Sequence, residues 1–261
     1  MTIESRLGAL LGAAVVCWAA AAHAAPQSVW LEELTSVEVR ERIAGGTATV
    51  LVPIGGTEQN GAHLVLGKHN VRVRVLAGRI AAELGDALVA PVLAYVPEGD
   101  IDPPTQHMRH AGTLSVPVAA FESVLEGAAR SLRRHGFRHV VLLGDHGGYQ
   151  ASLERVATKL NRTWGSANGV IFLAQYYRAA QAFDATLAAR GYTQQEIGRH
   201  AGLADTSLAW AVDASLVRPQ ALQPVPGVDG DPRRASADLG RPGVEHIVSA
   251  SLAALRARMT P

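Results

Sequence analysis

Short apolar runs alternate with longer amphipathic stretches along most of the chain. Continuous apolar runs are typical of strands that are covered on both faces. The predicted strands are Thr47–Ile54, Leu88–Val96, His139–Leu143 and Val170–Tyr177. The predicted helices are Thr35–Ala44, Asn70–Leu84, Val118–His135, Tyr149–Thr163, Ala179–Arg190, Thr193–His200, Asp205–Asp213 and Val244–Met259. Since strands that alternate with helices form right-handed βαβ units, we predict an α/β fold, a three-layer α/β/α sandwich around a mainly parallel sheet.

Two long polar segments separate these elements. Pro97–Arg109 is predicted to be a loop over a surface or a cleft, and Pro219–Pro242 is predicted to be a long surface loop. The chain shows no internal repeat and no low-complexity linker. We therefore predict a single domain over residues 25–261.

The N-terminal segment has the pattern of a secretory signal peptide. Arg6 precedes the apolar stretch Leu7–Ala22, and Ala22-His23-Ala24 matches an A-x-A cleavage site. The alternative is an uncleaved membrane anchor, but the apolar run falls short of the roughly 20 residues that a spanning helix needs. We predict that residues 1–24 are removed, that the mature protein is periplasmic or secreted, and that it has no stable membrane insertion.

Composition narrows the chemistry further. Cys17 is the only cysteine of the 261 residues, so the mature chain would have no disulfide, no thiolate metal ligand and no cysteine nucleophile. The formal net charge of +1 gives no indication of binding to nucleic acid. No GxSxG, P-loop or GxGxxG motif stands after a predicted strand, which disfavours serine hydrolases, nucleotide hydrolases and dehydrogenases.

Two glycine-containing turns follow predicted strands and carry acids and histidines. The first is GGTEQNGAHLVLGKHN, with Glu58, His63 and His69, and the second is GDHGGYQ, with Asp145 and His146. Because ligands bind at the carboxyl ends of parallel strands, we expect these side chains to converge on one cleft. Carboxylate and imidazole groups there suit Zn²⁺, Mn²⁺ or Fe²⁺.

A third stretch, HAGLADTS, begins another predicted helix. Asp205 either caps this helix or points into the same cleft. His200 is a candidate for proton transfer, since imidazole titrates near neutrality. His107 and His110 either line the cleft or lie on the surface.

Together these stretches resemble the creatininase family, the creatinine amidohydrolases. The resemblance rests on GGTEQNGAHLVLGKH, AGTLSV, GDHGGYQ and HAGLADTS, in that order, from about Val50 to Ser207. It implies an α/β/α sandwich, a divalent metal centre that hydrolyses C–N bonds of small cyclic or linear amides, and assembly into homo-oligomers.

The resemblance also implies roles for individual residues. Glu58 and His146 match metal ligands, His200 matches a histidine of proton transfer, and Asp205 matches a glutamate before Thr-Ser. His69 stands where the family has a bridging aspartate. Asn60 stands where the family has a histidine ligand of a second metal.

These departures favour one metal ion over two. A neutral imidazole normally binds one cation, whereas a carboxylate can bridge two. We therefore predict a single Zn, Mn or Fe ion held by Glu58, His69 and His146, with Asp205 as fourth ligand or as base alongside His200. Asn60, His63 and Asp145 are predicted to support the ligands or to line the pocket.

The predicted function is metal-dependent hydrolysis of a C–N bond in a small-molecule amide. The altered residues Asn60 and His69 leave open a periplasmic small-molecule binding protein on the same fold. A metal-dependent lyase or isomerase also stays open.

Overall fold

The computed structural model describes residues 28–259 as four parallel strands with helices on both faces. The strands are β1 (Thr49–Ile54), β2 (Ala87–Val89), β3 (His139–Gly144) and β4 (Val170–Phe172). The helices are α1 (Ser36–Ala44), α2 (Lys68–Leu84), α3 (Val118–Arg134), α4 (Gln150–Trp164), α5 (Ala174–Ala189), α6 (Gln194–Ile197), α7 (Leu203–Val212) and α8 (Ala237–Met259). The predicted signal peptide, residues 1–24, lies outside the described residues. Within those residues, no helix has the length and apolar character that a membrane crossing requires.

Successive side chains of the central strands pack on opposite faces of the sheet. Leu51 and Val141 belong to the core shared with α2, α5, α7 and α8, whereas Val50 and Val140 belong to the core shared with α3 and α4. This alternation follows from the two-residue period of a strand. The predicted α/β/α sandwich is thereby confirmed.

The order of strands in the sheet is β2-β1-β3-β4. The chain moves from β1 to β2 in one direction and then crosses back to β3 and β4 in the other. The reversal places a crevice beyond the carboxyl ends of β1 and β3, which is where open α/β sheets bind ligands. The two turns singled out in the sequence follow these two strands.

Several predicted boundaries are wrong, and the helix predicted at Thr193–His200 already ends at Ile197. Strand β2 ends at Val89, because Pro91 has no N–H to continue the ladder, and pairing resumes only as an isolated bridge between Ile54 and Leu93. Strand β4 ends at Phe172, so the aromatic residues up to 177 belong to α5 instead.

Helix α8 begins at Ala237, before Pro242, inside the segment predicted to be a surface loop. Gly240 explains this early start, since a Cβ atom there would lie 1.9 Å from the Ser207 carbonyl oxygen. Close packing against α7 thus outweighs the low helix propensity of this glycine- and proline-containing stretch.

Candidate metal centre

Glu58 lies in the turn after β1, and its buried carboxylate has two different sides. On one side, Oε1 lies 2.8 Å from His69 Nε2 and 3.5 Å from Lys68 Nζ. On the other side, Oε2 lies 3.2 Å from His107 Nε2 and 3.4 Å from His146 Nε2. One oxygen thus faces cationic groups of the protein, and the other faces two imidazoles.

Four side chains from three segments surround the second oxygen. Glu58, Glu98, His107 and His146 each offer a ligand atom, and these atoms all lie within 4.8 Å of one another. For bonds of about 2.1 Å, neighbouring ligands of a tetrahedral ion are about 3.4 Å apart. The spacings from Glu58 Oε2 to the two imidazole nitrogens match this value, so the group has the dimensions of a divalent metal site.

Unpartnered carboxylate oxygens indicate that the group is incomplete without a cation. Among residues 28–259, Glu58 Oε2 and both oxygens of Glu98 are buried and have no hydrogen-bond partner. Burial, followed by the negative charge of Glu58, raises the pKa of Glu98 to about 8. A divalent ion would give these oxygens a partner and remove the repulsion between the two carboxylates.

The two histidines of the group are uncharged. Burial lowers the pKa of His146 to about 3, although Glu58 acts in the opposite direction. Burial likewise lowers the pKa of His107. Since only neutral imidazole binds a metal, both rings are in the state that ligation requires.

Gly56 leaves space for the Glu98 carboxylate beside the turn after β1. Gly56 has a φ of +155°, and a Cβ atom there would lie 2.5 Å from Glu98 Oε1. The loop that carries Glu98 is fixed by Ser115, whose hydroxyl accepts a hydrogen bond from the Glu98 amide at 3.0 Å. Glu98 is thereby held against the turn that carries Glu58.

His69 bridges two carboxylates. Its Nε2 lies 2.8 Å from Glu58 Oε1 and its Nδ1 lies 2.7 Å from Asp145 Oδ2. Burial acts to lower the pKa of His69, but the hydrogen bonds to Asp145 and Glu58 outweigh it and raise that pKa. Both ring nitrogens are thus occupied by protein oxygens.

Asp145 is in turn held by groups that stabilise its charge. Arg72 Nε donates to it at 2.9 Å and the Tyr176 hydroxyl at 2.7 Å. Burial acts to raise the pKa of Asp145, but Arg72 and the hydrogen bond from His69 lower it. Asp145 therefore stays ionised and fixes the orientation of the His69 ring.

Asp205 has both oxygens in ion pairs. Oδ1 accepts from Arg72 Nη1 at 2.8 Å, and Oδ2 accepts from Lys68 Nζ and, at 3.0 Å, from the Ala201 amide. Burial opposes ionisation, but Lys68 and Arg72 hold the pKa of Asp205 well below its usual range.

His200 has one ring nitrogen that can take up a proton. Its Nε2 lies 2.9 Å from the Gln59 carbonyl oxygen and 3.2 Å from the Gln59 side-chain nitrogen. Its Nδ1 lies 3.6 Å from Glu58 Oε1, beyond hydrogen-bond distance. Burial and Lys68 lower the pKa of His200 to about 4, so the ring is uncharged and keeps one nitrogen that can accept a proton.

Asn60 and His63 stabilise the turn after β1, which carries Glu58. The Asn60 amide donates to the carbonyl oxygens of Glu58 and Val65 at 2.9 and 3.1 Å. His63 Nε2 lies 3.0 Å from Thr206 Oγ1, which joins the turn to α7. In this arrangement both residues support Glu58 through the backbone rather than through its carboxylate.

A cavity of about 290 Å³ opens beside Asp145 and His146, and its volume suits a small molecule. Its wall includes His146, His200 and Asp205 together with side chains of α5. The α5 residues Tyr177, Gln181 and Asp184 recur at helical spacing and form one side of the cavity. His200 thus borders both the cavity and the Glu58 carboxylate.

The residues that the structure brings together are not the same as the ligand set predicted from the sequence. Glu58 and His146 lie together as expected, while His69 and Asp205 are paired with other protein groups. Their role as ligands stays a prediction. His107, for which the sequence allows either the cleft or the surface, belongs to the group.

Sequence reasoning missed Glu98 and the buried cations Lys68 and Arg72. A signal for Glu98 existed, because it follows the predicted strand Leu88–Val96 just as Glu58 follows Ile54. No comparable signal existed for the two basic residues, which lie on a helix, where such side chains are mostly exposed.

A family model described as creatininase, creatinine amidohydrolase, matches residues 32–255. The creatinine amidohydrolase of Pseudomonas putida is 28% identical over 199 residues, covering 73% of this chain and 74% of that protein. The mycofactocin precursor peptide peptidase of Mycolicibacterium smegmatis is 36% identical over 104 residues, 38% of this chain and 39% of that protein. A solved manganese form of creatininase aligns with a TM-score of 0.75 at 26% identity, over 90% of this chain and 100% of that structure.

These relatives are hydrolases by name, and the family model spans nearly all of the described residues. The chain therefore belongs to the creatininase family.

Proposed function

We propose that the protein is a metal-dependent hydrolase that cleaves an amide C–N bond of a small molecule. The observation that carries the proposal is the group of Glu58, Glu98, His107 and His146, in which three buried carboxylate oxygens have no partner within residues 28–259. The creatininase relationship supports the reaction class, and the cavity of about 290 Å³ supports a small substrate.

Glu58, Glu98, His107 and His146 would hold the ion, which is a different set from the one the sequence predicted. When bound, a divalent ion polarises a carbonyl oxygen and lowers the pKa of a coordinated water. Manganese and zinc forms of creatininase are known, which supports either metal here. Homo-oligomeric assembly and action outside the cytoplasm remain part of the proposal.

The protein's own residues provide proton transfer and positioning. The uncharged ring of His200 borders both the cavity and Glu58, so it can accept a proton from the attacking water and return it to the leaving nitrogen. Asp205 borders the same cavity, but its ion pairs with Lys68 and Arg72 make it a fixed negative charge that orients the substrate. Asp145 holds His69, and His69 holds Glu58 Oε1, which leaves Oε2 facing the metal position.

The test combines metal loading with a substrate panel. Chelated protein is reloaded with Zn²⁺, Mn²⁺ or Fe²⁺ and offered creatinine, other cyclic amides, linear amides and short peptides, with release of the amine or acid measured. We expect metal-dependent turnover of an amide, and we expect Glu58→Ala and His146→Ala to lose both bound metal and turnover.

His246→Ala is the matched control, since His246 is exposed on α8. It should retain both metal and turnover. Saturable ligand binding without turnover at any metal would support the binding-protein alternative. Full activity of metal-free protein, or of Glu58→Ala, would contradict the proposal. Cleavage of peptides alone would place the substrate outside the proposed class.

A further inference from the structure

Lys68 is a lysine without solvent contact, placed between two carboxylates. Its side chain is 0% exposed, and its Nζ contacts Asp205 Oδ2 and lies 3.5 Å from Glu58 Oε1. Lysine is almost never fully buried unless it is paired with an acid. Removing such a cation from water is costly, so its position requires an explanation in terms of the charges around it.

The position of the ammonium group is one that a metal ion could take. Glu58 presents Oε2 to the group with Glu98, His107 and His146, and presents Oε1 to Lys68. A carboxylate that bridges two ions uses its two oxygens in this way, and such ions are about 3.5–4 Å apart. Asp205, which would be a further ligand on the Oε1 side, is bound to Lys68 instead.

The charges of the cluster lead to the same conclusion. Four carboxylates face two basic side chains, so the formal charge before the histidines are counted is minus two. The carboxylates are Glu58, Glu98, Asp145 and Asp205, and the basic residues are Lys68 and Arg72. With one divalent ion the formal charge is zero before His69, whose pKa is raised, adds its positive charge, whereas a second ion would leave at least two excess positive charges in a buried place.

We propose that the Lys68 ammonium group occupies the place and supplies the charge of a second metal ion, which makes this protein a one-metal member of its family. A zinc–zinc form of a creatininase variant, aligned with a TM-score of 0.74, shows that this fold can hold two ions. Lys68 is thus a positioning residue: it fixes Glu58 Oε1 and Asp205 and leaves one exchangeable metal position. The inference rests on the proposed metal-dependent function.

Metal stoichiometry tests this proposal independently of turnover. Chelated protein is titrated with Zn²⁺ by calorimetry, and the bound metal is counted by elemental analysis after desalting. The wild-type protein should bind one tight equivalent. Lys68→Ala removes the charge and opens space beside Glu58 Oε1 and Asp205, so it should bind two, the second at least tenfold more tightly than any second equivalent of the wild type.

Two further variants complete the test. Lys68→Arg keeps the positive charge and should remain at one equivalent. Lys68→Gln keeps a donor toward Asp205 and adds a neutral oxygen, so it should also gain a second equivalent and provides the result if Lys68→Ala does not fold. With Mn²⁺, electron paramagnetic resonance should show isolated ions in the wild type and coupled pairs in the variants that bind two.

Two tight equivalents in the wild type, or a single equivalent in folded Lys68→Ala and Lys68→Gln, would overturn the proposal. One equivalent with turnover in every variant would overturn only this inference and leave the proposed function intact. No tight metal in the wild type would overturn both.

Discussion

The Tyr149 hydroxyl joins the two turns that carry Glu58 and His146, and its removal should weaken both the fold and the metal site. The hydroxyl lies 2.8 and 2.6 Å from the carbonyl oxygens of Ile54 and Gly55, at the end of β1. It accepts from the amides of Asp145 and His146 at 3.1 and 3.0 Å, at the end of β3. Tyr149→Phe deletes this oxygen and keeps the ring, which is 1% exposed and packs against Phe121.

The expected loss of stability follows from the groups left behind. The Asp145 amide keeps the Ile54 carbonyl oxygen at 3.0 Å, but the His146 amide loses the acceptor that Tyr149 provides. A stranded amide costs about 1–3 kcal/mol, and the lost bond to a carbonyl costs about 1 kcal/mol. Since His146 is only partly buried, we expect a decrease of about 2 kcal/mol in the free energy of unfolding, or about 4–8 °C in the melting temperature.

The metal affinity should fall in parallel. If about half of that energy, about 1 kcal/mol, holds the two turns in register, the dissociation constant rises by about fivefold, since 1.4 kcal/mol corresponds to a factor of ten. Denaturant unfolding and calorimetric titration with Zn²⁺ measure the two effects. Tyr95→Phe is the control, because Tyr95 is 62% exposed and should change neither quantity. Wild-type stability and affinity in Tyr149→Phe would refute the reasoning.

Three other predictions concern Glu98, Asp184 and the N-terminus. Glu98→Gln keeps the shape but removes the charge, so Zn²⁺ affinity should fall about 10–100-fold, as expected for a charge-assisted contact of about 1.5–3 kcal/mol; an unchanged dissociation constant would exclude Glu98 from the ligand set. Burial, followed by the charge of Asp205, raises the pKa of Asp184 from 3.8 to about 6. Between about pH 4 and 6 the folded state therefore holds a proton that the unfolded state has released, so the free energy of unfolding falls as the pH rises through this range. Asp184→Asn should therefore be more stable than the wild type at pH 7 by about 1–2 kcal/mol, and about as stable as the wild type at pH 4. The full pKa shift corresponds to roughly 3 kcal/mol, but partial exposure of the carboxylate reduces the effect. Equal stability of the two proteins at both pH values would contradict this. Expression of the full chain in a Gram-negative host should yield periplasmic protein that starts at Ala25, and an intact N-terminus by mass spectrometry would contradict the predicted cleavage.

The sequence predicted the parts of the structure that depend on strand ends and missed those that depend on loop closure. Glu58 and His146 follow long apolar runs, and a parallel sheet brings the ends of such runs to one edge, so their meeting could be inferred. Glu98 and His107 reach the same place through a segment without regular structure, whose path is fixed by contacts such as that between Ser115 and the Glu98 amide. No periodicity encodes that path.

The burial of two basic residues was the second feature that the sequence did not predict. Lys68 and Arg72 lie on α2, where basic residues ordinarily face water. They turn inward here because Glu58, Asp145 and Asp205 come from three other segments to meet them. Likewise, α8 extends over Pro242 because Gly240 permits contact with α7. Such outcomes follow from tertiary partners and could not be read from local propensity.

The origin of the four proposed donors has a consequence for how the loaded protein resists proteases. Glu58 and His146 come from turns anchored to β1 and β3, whereas Glu98 and His107 both come from the segment between β2 and α3. An ion bound by all four would tie that segment to the sheet as a cross-link does, and would close a loop that otherwise opens locally at low cost. Arg109 is exposed next to this cross-link, so the metal-loaded protein should be cut there by trypsin far more slowly than the chelated protein. The metal ion proposed for catalysis would then also protect this segment from proteolysis.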